Sequence, residues 1–331
     1  MTQVMDNAKT SVSKFRWADL LGKLGPVIGL AFVCILFASL TYETFVTVSN
    51  FQVMLTQTAV VGMASLGMTI IIIAGGIDLS FGSTVALSGV VVALLLQRGW
   101  SPVLAGVGGV GTGALCGLVI GLLITRLKLM PFIVTLGTMT AFRGLAKCLG
   151  SEAMVNAPDT WMNRMLNGLG EGQQWMIFPP GVWLVIVFSI LVAAMLRYTR
   201  FGRHVFAIGS NEQTARLCGV RVDRRKVLIY TVGAAFAGLA GILQFGYLTV
   251  GDPTTADGME LNVIAAVVIG GASLNGGRGS ILGTLIGALI MTVVSNGCTK
   301  VGLSSSVQQI VTGAIIILAV ALDGLQHRTK A

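Results

Sequence analysis

Cut at every Lys, Arg, Asp and Glu, this chain falls into ten long uncharged runs, and their spacing constrains the fold more than any motif does. The runs are Leu24–Tyr42, Thr44–Ile77, Leu79–Gln97, Gly99–Thr125, Leu129–Phe142, Gly172–Leu196, Val227–Gly251, Leu261–Gly277, Gly279–Thr299 and Val301–Leu322. A membrane helix needs about 20 apolar residues, with a range of about 17–25, and eight of the ten runs fall near that window. Thr44–Ile77 is too long for one helix and is read as a surface turn at Val48-Ser49-Asn50 followed by a single span. Leu129–Phe142 is short, but apolar character resumes beyond Arg143. Only 11% of the residues are charged, against about a quarter in a soluble domain. The chain is therefore expected to be all-α, a polytopic integral membrane bundle of about ten transmembrane helices.

Charge sets the orientation. With the N-terminus inside and the spans alternating, 17 of the 22 Lys and Arg lie in inside segments, and Arg98, Arg143, Lys147, Arg164 and Lys300 lie outside. The positive-inside rule favours this arrangement. It places both termini in the cytoplasm and divides the chain into a cytoplasmic N-terminal segment 1–23, a membrane domain 24–323 with a cytoplasmic loop 197–226, and a cytoplasmic tail 324–331. The polar stretch Met1 to Lys23 is followed by 19 apolar residues with no small-residue cleavage site, which reads as an uncleaved first span. One longer outer loop, about Gly150–Gln174, ends beside Trp175, an interfacial anchor by type. The net charge of +9 does not form an aromatic-laced patch, and topology accounts for it without nucleic acid. The five cysteines are widely spaced and give neither a disulfide framework nor a zinc site.

The loop from Arg197 to Lys226 holds eight Lys and Arg against only Glu212 and Asp223. A retained cytoplasmic loop needs charge, but this one also carries a compact helix signal. Ser210 and Gln213 have capping-box spacing, Glu212 falls in the first turn with Arg216 four residues on, and Gly219 suits a stop. A helix of about two turns, about 10 Å long, between two spans is shaped to be gripped by another molecule.

Glycine is abundant, at 44 residues. Gly109, Gly113, Gly117 and Gly121 recur every four residues, as do Gly279, Gly283 and Gly287; such faces let helices pack backbone to backbone. Two stretches resemble each other: Gly75, Gly76, Leu79 and Gly82 match Gly270, Gly271, Leu274 and Gly277 at a constant offset. Both break an apolar run, as the broken helices of transporters do where polar backbone meets the pathway.

Few residues offer chemistry. Asp78 stands between two spans that almost touch, followed by Ser80 and Ser83. It is read as a cap on the next helix, with a proton or substrate site as the alternative, because an acid at helix-centre depth costs about 2.5–3.5 kcal/mol. Glu260 opens its span where the helix dipole favours an acid. Asn262 and Asn296 lie in spans and are read as interhelical hydrogen-bonding groups. With the paired glycines, these are the candidates for a pathway. HExxH, CxxC, GxSxG and the Walker A pattern are absent from the sequence. Intramembrane acids and bases are nearly missing, so proton relays have little to work with, and a membrane-embedded enzyme would lack its cluster of acids, bases or metal ligands. A bundle of this kind that moves a solute uphill must receive work from a partner.

Three motifs together resemble one family, the membrane permeases of bacterial ABC importers for monosaccharides of the ribose, xylose, arabinose and galactoside type. They are GGIDLSFGS (Gly75–Ser83), TRFGRHVFAIGSNEQTARLCGV (Thr199–Val220) and GMELNVIAAVVIGGASLNGGRGSILGTLIGALI (Gly258–Ile290). The resemblance runs from about Leu24 to Asp323. It implies a multi-pass protein of the bacterial inner membrane that forms the pathway for a sugar, with two copies or close relatives pairing. A separate ATP-binding subunit would bind ATP and Mg, this chain itself being no enzyme and carrying no cofactor, and a periplasmic sugar-binding protein would deliver the solute. The coupling residues it implies are Gly202, Arg203, Gly209, Asn211, Glu212, Ala215, Arg216 and Gly219. Asn262 stands where the family pattern leads one to expect an acid, and Gly297-Cys298-Thr299-Lys300 replaces a more apolar continuation. A nucleoside, inositol or furanose-signal permease and a stand-alone secondary transporter or channel are the alternatives.

Overall fold

The computed structural model of the chain describes residues 25–167 and 178–328. The expected Trp175 anchor, the whole of segment 1–23, and the last three residues of the tail lie outside the described residues. Each of the ten uncharged runs holds one apolar helix. These are α1 (Gly25–Leu40), α3 (Val48–Ile73), α4 (Phe81–Gln97), α5 (Pro102–Arg126), α6 (Pro131–Leu149), α7 (Pro180–Tyr198), α10 (Val222–Leu248), α11 (Met259–Ile269), α12 (Ile281–Lys300) and α13 (Ser305–Arg328). Six of them, α3, α5, α6, α7, α10 and α12, are long and apolar enough to cross a membrane. Among the described residues, three short α-helices, α2 (Tyr42–Phe45), α8 (Arg200–Ser210) and α9 (Glu212–Leu217), and one 3-10 turn at Trp161–Arg164 complete the set. The only sheet among the described residues is a two-residue pairing of β1 (Val155–Asn156) with β2 (Val250–Gly251). The fold is thus an all-α membrane bundle.

Local chemistry explains the boundaries. Proline opens α5, α6 and α7, where its missing N–H is no loss. Ser101 and Ser280 accept from the N–H groups of Leu104 and Gly283 and cap α5 and α12. Helix α3 starts earlier than its run suggests: Thr47 caps it, and Val48-Ser49-Asn50 form its first turn rather than a surface turn. Helix α13 continues past Asp323 to Arg328.

Helix α3 lies at the centre, apolar all round as a buried helix must be, with α10, α12, α11 and α7 against it. From Met63 to Ile73 every residue of α3 is buried. The periodic glycines set the closest approaches. A methyl group at Gly113 would fall on the Ala234 carbonyl and 2.7 Å from the Gly238 nitrogen of α10; one at Gly117 would fall on the Tyr230 carbonyl. Gly283 and Gly287 likewise face the α11 backbone at Gly270 and Ala266.

Two spans differ from expectation. The run Leu261–Gly277 is not one helix: α11 has 11 residues, about 16 Å at 1.5 Å per residue, half of a hydrocarbon core of about 30 Å. Its remainder, 270–280, is irregular backbone, tolerated at such depth only where protein covers it, and Gly270, Ala272 and Ser273 are buried. Arg143, expected in an outer connection, lies inside α6, twelve residues from its start and so roughly 18 Å along it. Its Nη1 donates to the carbonyls of Pro253 and Thr255 at 2.9 and 2.6 Å, tying α6 to the segment that leads back into α11.

The close α5–α10 contact carries a prediction. Gly117→Val should destabilise the protein by at least the 1–3 kcal/mol typical of overpacking, read as a lower thermal midpoint in detergent. Gly111→Val, on the same helix with nothing within 4 Å of the added carbon, should shift it by no more than about 0.5 kcal/mol.

Candidate functional site

The basic segment folds as two helices, not one rod. Thr199 caps α8 by accepting from the Gly202 N–H at 3.1 Å, and Phe201, Val205 and Ile208 repeat at i, i+4 and i+7 to give it an apolar side. That spacing and the Thr199 cap were visible in the sequence, but the density of arginines around them hid the helix. Gly202 is buried because α8 turns back on α7 there: a methyl group would collide with the Leu196 carbonyl. Arg203 is exposed, and burial, then Arg225, Arg203 and Arg200, push the His204 imidazole below its ordinary value.

Helix α9 corrects the capping assignment. Its cap is Asn211, whose Oδ1 accepts from the Thr214 N–H at 2.8 Å, while Ser210 is the last residue of α8. Six residues, about 9 Å, agree with the expected length. The stop falls where expected: Gly219 has φ +82°, its N–H donates to the Arg216 carbonyl, and the Val220 N–H donates to the Ala215 carbonyl, a Schellman closure. Ala215 is buried. Arg216 bridges Glu212 at 3.4 Å and Asp223 at 3.0 Å, and Lys226 reaches Glu212 at 2.6 Å, so α9 is tied to the start of α10. Across a cleft of about 440 Å³, lined by these four residues, stand Lys128, Leu129 and Pro131 of the α5–α6 turn. Two of the segments that the charge rule assigned to one side, 126–128 and 197–226, therefore meet at one end of the bundle.

The tip of α8 makes the decisive contact. At Gly209 the helix backbone lies directly against the ends of both glycine-broken stretches. A methyl group there would collide with the Ile73 carbonyl and lie 2.6 Å from the Gly277 nitrogen. The Gly277 N–H donates to that same Ile73 carbonyl at 2.8 Å, joining the turn after α11 to the end of α3. A methyl at Gly276 would lie 2.9 Å from both the Gly209 Cα and the Gly75 nitrogen. Gly75, Gly209, Gly276 and Gly277 thus form one junction of backbone on backbone.

The two breaks are alike in kind but not in register. Helix α3 ends in a Schellman closure with Gly75 at φ +77°, its N–H and that of Gly76 donating to Ile72 and Ile71; α11 ends the same way with Gly271 at φ +89°, donors Gly271 and Ala272, and acceptors Val268 and Val267. The left-handed glycines are thus Gly75 and Gly271, one residue off the sequence match that pairs Gly75 with Gly270. Gly270 instead faces the Gly283 backbone, and Gly76 faces the Tyr230 hydroxyl.

Asp78 is fully buried. Its Oδ1 accepts from the N–H and hydroxyl of Ser80 at 2.8 and 2.6 Å, closing the turn that feeds α4; α4's own cap residue is Ser80, which makes no side-chain cap bond. Oδ2 has no partner, and among the described residues no Lys or Arg pairs with it. Glu260 is buried at the other end of α11 from the junction, with Asn262 half-buried beside it. Asn296 is buried in α12, its Oδ1 unpartnered, and stands apart from both. Among the described residues no group of His, Cys, Asp and Glu is placed to hold a metal.

Against known proteins, a family model described as "Branched-chain amino acid transport system / permease component" matches residues 50–320. The chain is 40% identical to the ribose import permease protein of Bacillus subtilis (strain 168), over 96% of this chain and 98% of that one. It is 37% identical to the ribose import permease protein of Escherichia coli (strain K12), over 88% and 90%, and 35% identical to the fructose import permease protein of Rhizobium meliloti, over 97% and 94%. No solved structure matches the chain significantly.

The ion pairs around α9 lie at the surface, with only Lys226 half-buried, and surface pairs contribute about 0–1 kcal/mol each. Asp223→Asn combined with Lys226→Gln should accelerate amide exchange in 212–220 by less than about tenfold and leave global denaturation unchanged. High salt should produce the same acceleration in the unmodified protein.

Proposed function

This chain belongs to the family described as branched-chain amino acid transport system permease components, and from that membership we propose that it is the membrane permease subunit of a monosaccharide ABC importer. It is a multi-pass protein of the inner membrane. The family description names amino acids, but the full-length relatives above are named for sugars, and full-length identity near 40% weighs more than a family label. The solute we assign is a ribose-type monosaccharide.

We assign the power to a separate ATP-binding subunit that engages α8 and α9 from the cytoplasm, and solute delivery to a periplasmic binding protein. A second copy of this chain or a close relative completes the pathway. The observation that carries this reading is the contact of Gly209 with Ile73 and Gly277: a push on α8 reaches α3 and the α11–α12 turn with no intervening side chain to absorb it. Close-packed backbone transmits displacement, because packed interiors have low compressibility. ATP binding by the partner shifts α8 and α9, and with them the turns after α3 and α11, against the rest of the bundle. The exposed Arg203, Glu212 and Arg216 face the cytoplasmic partner.

In proteoliposomes holding the complete complex, Arg216→Glu should abolish concentrative D-ribose uptake by more than tenfold while the chain still inserts and α10 stays folded. Normal uptake by that variant would remove α9 from the coupling path. Concentrative uptake by this chain without any nucleotide-hydrolysing subunit would overturn the importer reading itself.

A further inference from the structure

A second polar place lies away from the cytoplasmic junction. Arg143 on α6 is half-buried, and within electrostatic reach of it stand Asp257, Glu260 and Asp252. Asp257 belongs to the segment that re-enters the bundle, and Glu260 to the first turn of α11. The first turn of α4 brings in Ser83, which is 1% exposed, and its Oγ has no hydrogen-bond partner. A buried hydroxyl without a partner is uncommon and calls for one. Ser83, Thr140, Arg143, Lys147, Asp257 and Glu260 all line one cavity of about 260 Å³.

The face around this cavity is unlike a lipid-facing surface. On α6, Gly137, Thr140, Ala141 and Gly144 are exposed, and nothing lies within 4 Å of a carbon added at Gly137 or Gly144. Ionisable groups within a membrane helix face a bundle interior or a water-filled space. The cavity is also placed where two helices begin part-way through the bundle, α4 and the short α11, which is where transporters bind solute.

Its chemistry selects a ligand class. Among the lining groups two cations, Arg143 and Lys147, offset two anions, Asp257 and Glu260, with Asp252 outside the lining, so the wall itself carries no net charge that would select an ion. Cationic groups donate, carboxylates accept, and the two hydroxyls do either. The volume falls just below the roughly 300–1,000 Å³ of sites for drug-sized ligands, which suits one small ring. We propose that this cavity is a binding site for a neutral polyhydroxylated solute, with Ser83 Oγ and the Glu260 carboxylate bonding its hydroxyls. The site rests on the permease reading and adds a location to it. Helix α11 then has the site at its first turn and the Gly271–Gly277 turn at its last, so the solute and the α8 tip act on opposite ends of one short helix.

The test uses the complete complex in proteoliposomes with D-ribose as probe. Ser83→Ala, which removes one hydroxyl and adds no bulk, should lower the uptake rate about three- to tenfold, and Glu260→Gln more than tenfold, the ranges expected for losing a neutral and a charge-assisted hydrogen bond. Assembly, read by size exclusion, should be unchanged. In a chain whose native cysteines are replaced by serine, Thr140→Cys, on the exposed wall of the cavity, should react with a small water-soluble thiol reagent, and D-ribose should slow that reaction at least threefold. Uptake equal to the unmodified complex in both variants, or labelling that D-ribose does not slow, overturns the site while leaving the permease reading intact. Absence of monosaccharide uptake by the unmodified complex overturns both.

Discussion

The contact on which the rest of this structure depends involves no side chain. Gly209, at the last turn of α8, lies against the Ile73 carbonyl and the Gly277 amide, and those two groups are hydrogen-bonded to each other. Any residue larger than glycine would separate α8 from the membrane helices by the width of a methyl group. The contact joins three elements of different kinds: a basic surface helix, the end of the central buried helix, and the turn that follows a half-length helix. Left-handed glycines make the approach possible: Gly75, Gly276 and Gly277 adopt φ of +77°, +83° and +73°, which a side chain would strain, and they keep the turns thin enough for backbone to meet backbone. A bundle with few internal charges has little other means of receiving work than mechanical contact at such a place.

Much of this was legible in the sequence. Ten uncharged runs became ten apolar helices because a chain in lipid has few other ways to satisfy its backbone. The glycine periodicities of α5 and α12 proved to be contact faces for the same reason. The Arg216–Glu212 pair and the Gly219 stop were recoverable because i,i+4 spacing and helix closure are local properties. What failed to show was set by depth or by competition. Ser210 and Asn211 are both good caps, and only the presence of α8, ending at Ser210, decides for Asn211. An uncharged run does not distinguish a full span from a half-helix followed by irregular backbone, so the 11 residues of α11 stayed hidden in Leu261–Gly277. Arg143 read as an outer-loop charge because composition does not reveal that carbonyls of a re-entrant segment would receive its guanidinium.

That misplaced arginine is informative. Its two bonds to Pro253 and Thr255 tie the 252–258 segment to α6, just ahead of the short α11. A short α11 in turn brings its closing turn to the level of Ile73, where Gly277 meets it. The polar face of α6 and the glycine junction thus lie at opposite ends of α11. Arg143 fixes the entrance of α11 and α8 touches its exit.

If α8, α9 and the glycine turns move as one rigid body, paired spin labels will report it. One pair would sit on exposed Cys218 and Asn275, the other on Asn275 and exposed Trp161 at the far end of the bundle. Distances would be measured in the assembled complex with and without ATP. A rigid junction predicts that the Cys218–Asn275 distance stays fixed while the Asn275–Trp161 distance changes. A Cys218–Asn275 distance that changes on ATP binding, with Asn275–Trp161 constant, would contradict it.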